Sequence, residues 1–423
     1  MTKNIYRIAV LLNLLCLFVF DIAKAQADTA QHIIQSRANS KEQQKKPYVI
    51  LISADGFRYD YAKRYDATHL LKLSKTGVQA ESMIPSFPSV TFPNHYSIVT
   101  GMYPAHHGLV NNSFLEEKSG QRYSMSAKAK VKEAKWYGGT PLWVLAEQQQ
   151  MISASMFWVG SEAEIKGIRP TRYYDYTEKL SIDDRINIVK DWLSLPEEKR
   201  PHFITFYLSE PDHAGHSFGP EAVETKNAVK MVDSVIYKLT ETIKPLDLPV
   251  NYIFVSDHGM TTADQENPIK KPVEIDTAKY IIAASGTMMD IHAKNKADVL
   301  PLYQKLKVQQ QDYKAYLKSE MPKNLNYSTT DDWMGRIGDI LLLPKWPKVF
   351  SNRKPGVGHH GFDPYEVKDM HATFIAWGPA FKENLQIPSF ENVNIYPLVA
   401  KILGLNYQEK IDGKVEVLEP ILK

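Results

Sequence analysis

The stretch Tyr48-Val49-Ile50-Leu51-Ile52-Ser53-Ala54-Asp55-Gly56 decides the fold. It is an unbroken β-branched and aliphatic run that stops at an acidic residue and a glycine. A strand with one wet face alternates polar and apolar residues. An unbroken run is buried on both faces, as in a parallel sheet covered by helices. Two further runs repeat the pattern. Residues 202–208 lead to Glu210-Pro211-Asp212, and residues 250–256 lead to Asp257-His258-Gly259. Strand-like segments also occur at 77–84, 152–159 and 370–377. Helical patterns fall at 67–75, 140–150, 182–193, 221–243 and 393–403. This alternation predicts an α/β fold with a mostly parallel central sheet and helices on both faces. In such sheets ligands bind beyond the carboxyl ends of the strands. Asp55, Asp212 and Asp257 are therefore expected to converge at one edge.

The rest of the chain is organised around this pattern. The sequence has 423 residues, 43% of them hydrophobic and 23% charged, a globular composition with a sizeable core. The net charge of +3 is spread out, with no footprint of a nucleic-acid-binding surface. Lys3 and Arg7 precede an apolar run, 8–20, and then Ala23-Lys24-Ala25. That order predicts a signal peptide over 1–25, because the apolar run is short for a bilayer span. Its removal would leave no membrane span. Cys16, the only cysteine, lies within it, and an exported chain without disulfides fits a bacterial periplasm. Residues 26–46 are polar and predict a flexible leader. From 47 to 423 no linker interrupts the pattern, so one large domain is expected. A subdomain is expected over 265–350, with strands near 279–293 and 337–343 and a helix near 297–316.

A second stretch, Pro88-Ser89-Val90-Thr91-Phe92-Pro93-Asn94-His95, places a hydroxyl at the start of a helix-like run. Thr91 there is either an N-cap or a nucleophile facing an anion, since helix N-termini gather free N–H groups and favour negative charge. The surrounding acids and histidines favour the second reading. Asp212-His213-Ala214-Gly215-His216 spaces an acid and a histidine four apart, one helical turn or one tight loop. Asp257 and His258 are adjacent, and His359-His360-Gly361 lies in a glycine-rich loop with Asp363 behind it. Zinc takes histidine nitrogen and carboxylate oxygen, about four ligands at a time. Six candidate ligands suffice for two ions, and a pair ~3.5–4 Å apart clamps both oxygens of an in-line phosphoryl displacement. His106, His107, His213, His359 and His371 are read as loop or supporting histidines.

Six stretches resemble the nucleotide pyrophosphatase/phosphodiesterase family of the alkaline phosphatase superfamily, in family order. They are Ile52-Ser53-Ala54-Asp55-Gly56-Phe57-Arg58, Thr91-Phe92-Pro93-Asn94-His95-Tyr96, Gly108-Leu109-Val110-Asn111-Asn112, Pro211-Asp212-His213-Ala214-Gly215-His216, Val255-Ser256-Asp257-His258-Gly259-Met260 and His360-Gly361-Phe362-Asp363. The resemblance is to compact, single-domain bacterial members. It implies an alkaline-phosphatase-like fold and two zinc ions per chain. One ion would be held by Asp212, His216 and His360, the other by Asp55, Asp257, His258 and the Thr91 oxygen. It further implies that Thr91 attacks phosphorus, giving a phospho-threonine that water hydrolyses, and that Asn112 donates to a non-bridging phosphate oxygen. Phe92 and Tyr176 match the aromatic pair that sandwiches a nucleobase, with Tyr173 and Tyr174 as alternatives to Tyr176.

The expected activity is hydrolysis of nucleotide phosphodiester or pyrophosphate bonds, releasing a nucleoside 5′-monophosphate. The rival enzymatic readings are a phosphomonoesterase and a lysophospholipid or choline phosphodiesterase on the same metal frame. A non-enzymatic zinc-binding envelope protein is the rival of another class. Ser89-Val90-Thr91-Phe92-Pro93 does not give the pattern of a formylglycine sulfatase.

Overall fold

A computed structural model describes residues 29–423; the predicted signal peptide lies outside the described residues. Nine strands form the main sheet. In chain order they are β1 (His32–Ile33), β2 (Tyr48–Ala54), β3 (Val78–Ala80), β4 (Ser153–Met156), β5 (Arg172–Tyr173), β6 (Phe203–Leu208), β7 (Val250–Val255), β8 (Phe374–Trp377) and β9 (Leu385–Ile387). Their spatial order is β1-β5-β4-β6-β2-β7-β8-β3-β9. Only β1 and β8 run against the others.

The unbroken apolar run of β2 has the physical reason anticipated for it. Every residue from Tyr48 to Ala54 is buried, and the side chains alternate between two cores. Val49 and Leu51 join one cluster, while Tyr48, Ile50, Ile52 and Ala54 join the other. Helices α2 (Thr91–Thr100), α3 (Leu142–Gln148) and α7 (Ile395–Leu403) cover the first face. Helices α1 (Thr68–Lys75), α4 (Ile182–Leu193) and α6 (Val223–Ile243) cover the second; the short α5 (Asp212–Phe218) follows β6. In α4 the apolar spacing of Ile186, Val189 and Leu193 buries one stripe, and Ser181 caps the start by accepting from Asp184 N–H.

Residues 280–344 carry a separate four-stranded antiparallel sheet with its own apolar cluster around Ile291, Leu306 and Leu342. The helix expected at 297–316 is shorter. It spans Val299–Val308, and the chain then enters the strand Tyr313–Leu317. Tyr313 and Ala315 alternate into that cluster, and a strand partner outweighs continued helix. The leader also differs from expectation. Asn39 is buried and bonded to the carbonyls of Glu197 and Arg200, and β1 joins the main sheet. Among the described residues no helix is long and apolar enough to cross a membrane.

Candidate active site

The three strands that end in carboxylates lie side by side at the centre of the sheet, in the order β6-β2-β7. Their registers end level, with Ala54 opposite Leu208 and Ser53 opposite Val255. The turns beyond them are sewn together. Gly56 N–H donates to Asp257 Oδ1 (3.1 Å), Phe57 N–H to Ser256 Oγ (2.8 Å) and Asp212 N–H to the Asp55 carbonyl (3.0 Å). Gly56 has φ +67°, and a Cβ there would stand 3.0 Å from Asp212 Cα. The close approach of Asp212 to Asp55 therefore needs a glycine.

Three histidines complete the cluster, and each is oriented the same way. Nδ1 of His216 lies 2.8 Å from the Gly358 carbonyl, Nδ1 of His258 2.9 Å from that of Gly259, and Nδ1 of His360 3.0 Å from that of Ser89. A carbonyl only accepts, so each Nδ1 carries the proton and each Nε2 offers a lone pair. Those lone pairs converge on carboxylates. Asp212 Oδ1 is 3.5 Å from His216 Nε2 and 3.7 Å from His360 Nε2, and the two Nε2 atoms are 3.0 Å apart. His258 Nε2 is 3.0 Å from Asp257 Oδ2 and 3.6 Å from Asp55 Oδ1.

Asp55 Oδ1, Asp212 Oδ1 and Asp257 Oδ2 are buried without a hydrogen-bond donor. An uncompensated buried carboxylate costs several kcal/mol, so three in contact with histidine lone pairs would be strongly unfavourable on their own. The ligand atoms of Asp212, His216 and His360 lie within 4.8 Å of one another, as do those of Asp55, Asp212 and His258. Oxygen and imidazole ligands with outward-tethered rings suit divalent cations such as zinc. The first trio is the expected set; in the second Asp212 stands where Asp257 was expected, and Asp257 groups instead with Asp55 and His95. The donor chemistry fits a divalent cation.

The protonation energetics express the same conflict. Burial, then the charges of Asp257 and Asp212, push the Asp55 carboxyl well above its ordinary range. Burial also acts against ionisation of Asp257, but His258 and His95 beside it outweigh that and hold it well below. Burial, then His258 and His216, drive His360 far down, keeping it neutral.

Thr91 is the first residue of α2; the N-cap position belongs to Val90, and no side chain caps the helix. Thr91 Oγ1 lies 3.2 Å from His258 Nε2. Asn112 Oδ1 accepts from Phe92 N–H (2.9 Å), which fixes its amide and leaves the Nδ2 hydrogens for another acceptor. Outward from Thr91 opens a cavity of about 340 Å³ whose lining includes Phe92, Phe157, Trp158 and Tyr176. Of the three tyrosines considered, Tyr176 alone lines it. Tyr173 stacks on His32 (4.6 Å), and Tyr174 is buried near Trp192 (6.2 Å).

Sequence reasoning passed over two residues here. His95, fully buried, sits 2.8 Å from Ser53 Oγ through Nε2, and its Nδ1 is 3.0 Å from the Thr91 carbonyl and 3.3 Å from Asp257 Oδ2. It ties the Thr91 turn to the sheet and to Asp257. Tyr207 donates to Asp55 Oδ2 (2.7 Å). The signal for His95 was its place in the same turn of helix as Thr91; Tyr207 reads as ordinary core. Three of the supporting histidines are engaged away from the cluster. His107 contacts Ser97 Oγ (3.0 Å), His106 contacts Asp412 (2.7 Å) and His371 contacts Ser82 Oγ (2.7 Å). His213 is exposed at the cavity, and His359 lies 6.1 Å ring to ring from His216.

Comparison with known proteins places this geometry. Residues 49–363 match the family described as type I phosphodiesterase / nucleotide pyrophosphatase. Ectonucleotide pyrophosphatase/phosphodiesterase family member 1 of Mus musculus is 35% identical over 382 residues, 85% of this chain and 41% of the mouse protein. A venom phosphodiesterase of Naja atra is 35% identical over 373 residues, 84% of this chain and 44% of the venom protein. The chain thus spans less than half the length of these relatives. Among solved structures, an inactive threonine-to-alanine variant of murine ectonucleotide pyrophosphatase/phosphodiesterase 5 in complex with AMP superposes with a TM-score of 0.83. Its identity is 26%, covering 89% of this chain and 100% of that one. The fold is the alkaline-phosphatase-like α/β fold of these enzymes.

Proposed function

The chain belongs to the type I phosphodiesterase/nucleotide pyrophosphatase family, and on that premise we propose that it hydrolyses nucleotide phosphodiester or pyrophosphate bonds, releasing a nucleoside 5′-monophosphate. One observation carries the reading. Thr91 Oγ1 stands 3.2 Å from His258 Nε2, and Thr91 lines the same cavity as Phe92 and Tyr176. An aromatic cleft beside the hydroxyl favours a substrate with an organic group on the phosphate over a small phosphomonoester. A zinc carrier would have no use for the hydroxyl.

Asp212, His216 and His360 would hold one zinc ion, and Asp55, Asp257, His258 and the Thr91 oxygen the other. Bound there, the two ions would balance the buried carboxylates and stabilise charge on the reacting oxygens. Thr91 Oγ1 attacks phosphorus, the bond to the leaving oxygen breaks, and the nucleotide remains as an ester on Thr91. Water then cleaves that ester and restores the hydroxyl. Asn112 Nδ2 is free to donate to a non-bridging oxygen as charge develops. The Thr91 N–H at the start of α2, with the helix dipole behind it, favours the same charge. Phe92 and Tyr176 would hold the base between them. The inactive threonine-to-alanine relative in complex with AMP supports both the nucleophile and the product class.

The signal-peptide pattern at 1–25, together with the ecto- and venom enzymes among the relatives, supports export, and the sequence character favours a bacterial periplasm. The test is a set of initial rates on a nucleotide diester, ATP, a phosphomonoester and lysophosphatidylcholine. The reading expects the first two to lead; a clear preference for the monoester or the lipid would overturn it.

A further inference from the structure

The outer edge of the main sheet is closed by the N-terminal segment. β1 pairs antiparallel with β5, with His32 opposite Tyr173, and Ile34 N–H donates to the Thr171 carbonyl (2.9 Å). β5 is only two residues long and meets β4 at two positions, Ala154 opposite Arg172 and Ser155 opposite Tyr173. β1 therefore covers an edge that would otherwise be open. Side chains reinforce the pairing. Gln31 Nε2 donates to Tyr174 Oη (3.0 Å), and the His32 imidazole lies flat on the Tyr173 ring (4.6 Å, 17°). His32 Nε2 is 3.6 Å from Asp175 Oδ1. Arg37 Nη1 donates to the Arg169 carbonyl (2.6 Å) and lies 3.3 Å from Glu147 Oε2. Glu147 in turn accepts from the N–H groups of Ser153 (2.8 Å) and Thr171 (2.9 Å), at the starts of β4 and β5.

These contacts reach the rim of the cavity through Asp175, the partner of His32. Asp175 and Tyr176, which follow β5 and Tyr174, line the cavity. On that side the wall is held by Tyr176 N–H donating to Glu162 Oε1 (2.9 Å) and by Lys132 paired with Asp175. The Tyr176 ring itself is exposed, touches Phe157 and Tyr207 edge-on (5.4 and 6.0 Å), and is otherwise held by its hydroxyl donating to Glu178 Oε1 two residues along the same segment (3.2 Å). Its position thus depends on where the backbone of 172–175 runs.

Resting on the phosphodiesterase reading, we infer that residues 31–37 are a strap that fixes the Tyr176 wall and so sets affinity for the organic group of the substrate, apart from phosphoryl transfer at Thr91. Gln31, His32 and Arg37 are positioning residues; none of them lines the cavity. The strap is held by polar contacts, each with a net worth of about 1 kcal/mol. Ile33 within it is exposed. Its loss should loosen the wall without unfolding a domain whose cores lie elsewhere.

The test compares the full chain with the triple variant Gln31→Ala/His32→Ala/Arg37→Ala, and with Arg37→Ala alone in case the triple variant folds poorly. Rates are measured on p-nitrophenyl thymidine 5′-monophosphate and on bis(p-nitrophenyl) phosphate, which lacks a nucleoside. Loosening should raise KM for the nucleotide ester about five- to tenfold, with kcat within about twofold and the small diester unaffected. Hydrogen exchange should quicken at 172–176 but not in β6. An unchanged KM for the nucleotide ester, or equal losses on both substrates, would overturn the inference. If the parent cleaves neither substrate, the phosphodiesterase reading falls. The strap is then judged by calorimetric AMP binding: weaker binding with faster exchange at 172–176 supports it, and unchanged binding overturns it.

Discussion

His216 Nε2 and His360 Nε2 face each other at 3.0 Å while both Nδ1 atoms are committed to backbone carbonyls. Two lone pairs at that distance repel unless a cation lies between them. With Asp212 Oδ1 beside both, the pair is the clearest sign in the fold of a metal ligand set. His216→Ala should therefore lower bound zinc by about one equivalent per chain, and His258→Ala should remove the other. Elemental analysis after dialysis reads the count. Unchanged zinc in both variants would contradict the assignment, as would activity indifferent to chelators.

Asn112 has its oxygen tied to Phe92 N–H, so its amide is set before substrate arrives. Asn112→Ala should lower kcat on the order of 10²-fold with little change in KM, the signature of a donor used in the transition state. Asn112→Asp keeps the acceptor for Phe92 but loses the donors, and should cost at least as much. Steady-state kinetics that moved only KM would count against the role.

Phe92 and Tyr176 both line the cavity beyond Thr91. Truncating either to alanine removes a stacking surface worth about 1–3 kcal/mol per base. KM for nucleotide substrates should rise about tenfold or more while bis(p-nitrophenyl) phosphate is little affected. Equal effects on both substrates would rule out a base sandwich.

His107 supplies a pH-dependent stability difference away from the metal ligands. Burial pushes its imidazole from 6.5 down to about 3, and both nitrogens are used: Nδ1 accepts from Leu109 N–H (3.2 Å) and Nε2 contacts Ser97 Oγ (3.0 Å). The folded state stays neutral while the unfolded chain takes up a proton below 6.5. The stabilisation is therefore complete above that value and is lost as pH falls toward 3. At about pH 5 the loss is about 2 kcal/mol. Urea unfolding should fall less steeply between about pH 7.5 and about pH 5 for His107→Gln than for the parent. Equal falls would refute the linkage.

Much of this was legible in the sequence because burial on both faces leaves an unmistakable trace. β2, β6 and β7 read as strands from their apolar runs, and their acidic ends lie together because parallel neighbours end level. The direction of β8 was not legible, since Phe374–Trp377 is apolar whichever way it pairs. β1 and β5 were invisible because a two-residue strand has no period to detect, and both lie in polar surroundings. His95 stayed hidden because its partners, Ser53 and Asp257, come from different strand ends, so a helical histidine looked like core.

The central claim is that Thr91 is the nucleophile, and Thr91→Ala tests it most directly. With nucleotide ester turnover, zinc content and AMP affinity measured on one preparation, kcat should fall on the order of 10⁴-fold or more. Zinc and AMP binding should stay close to the parent, because the Thr91 oxygen is one zinc ligand beside carboxylates and histidines that remain, and the aromatic walls are untouched. Turnover within about tenfold of the parent at full zinc occupancy would contradict the account.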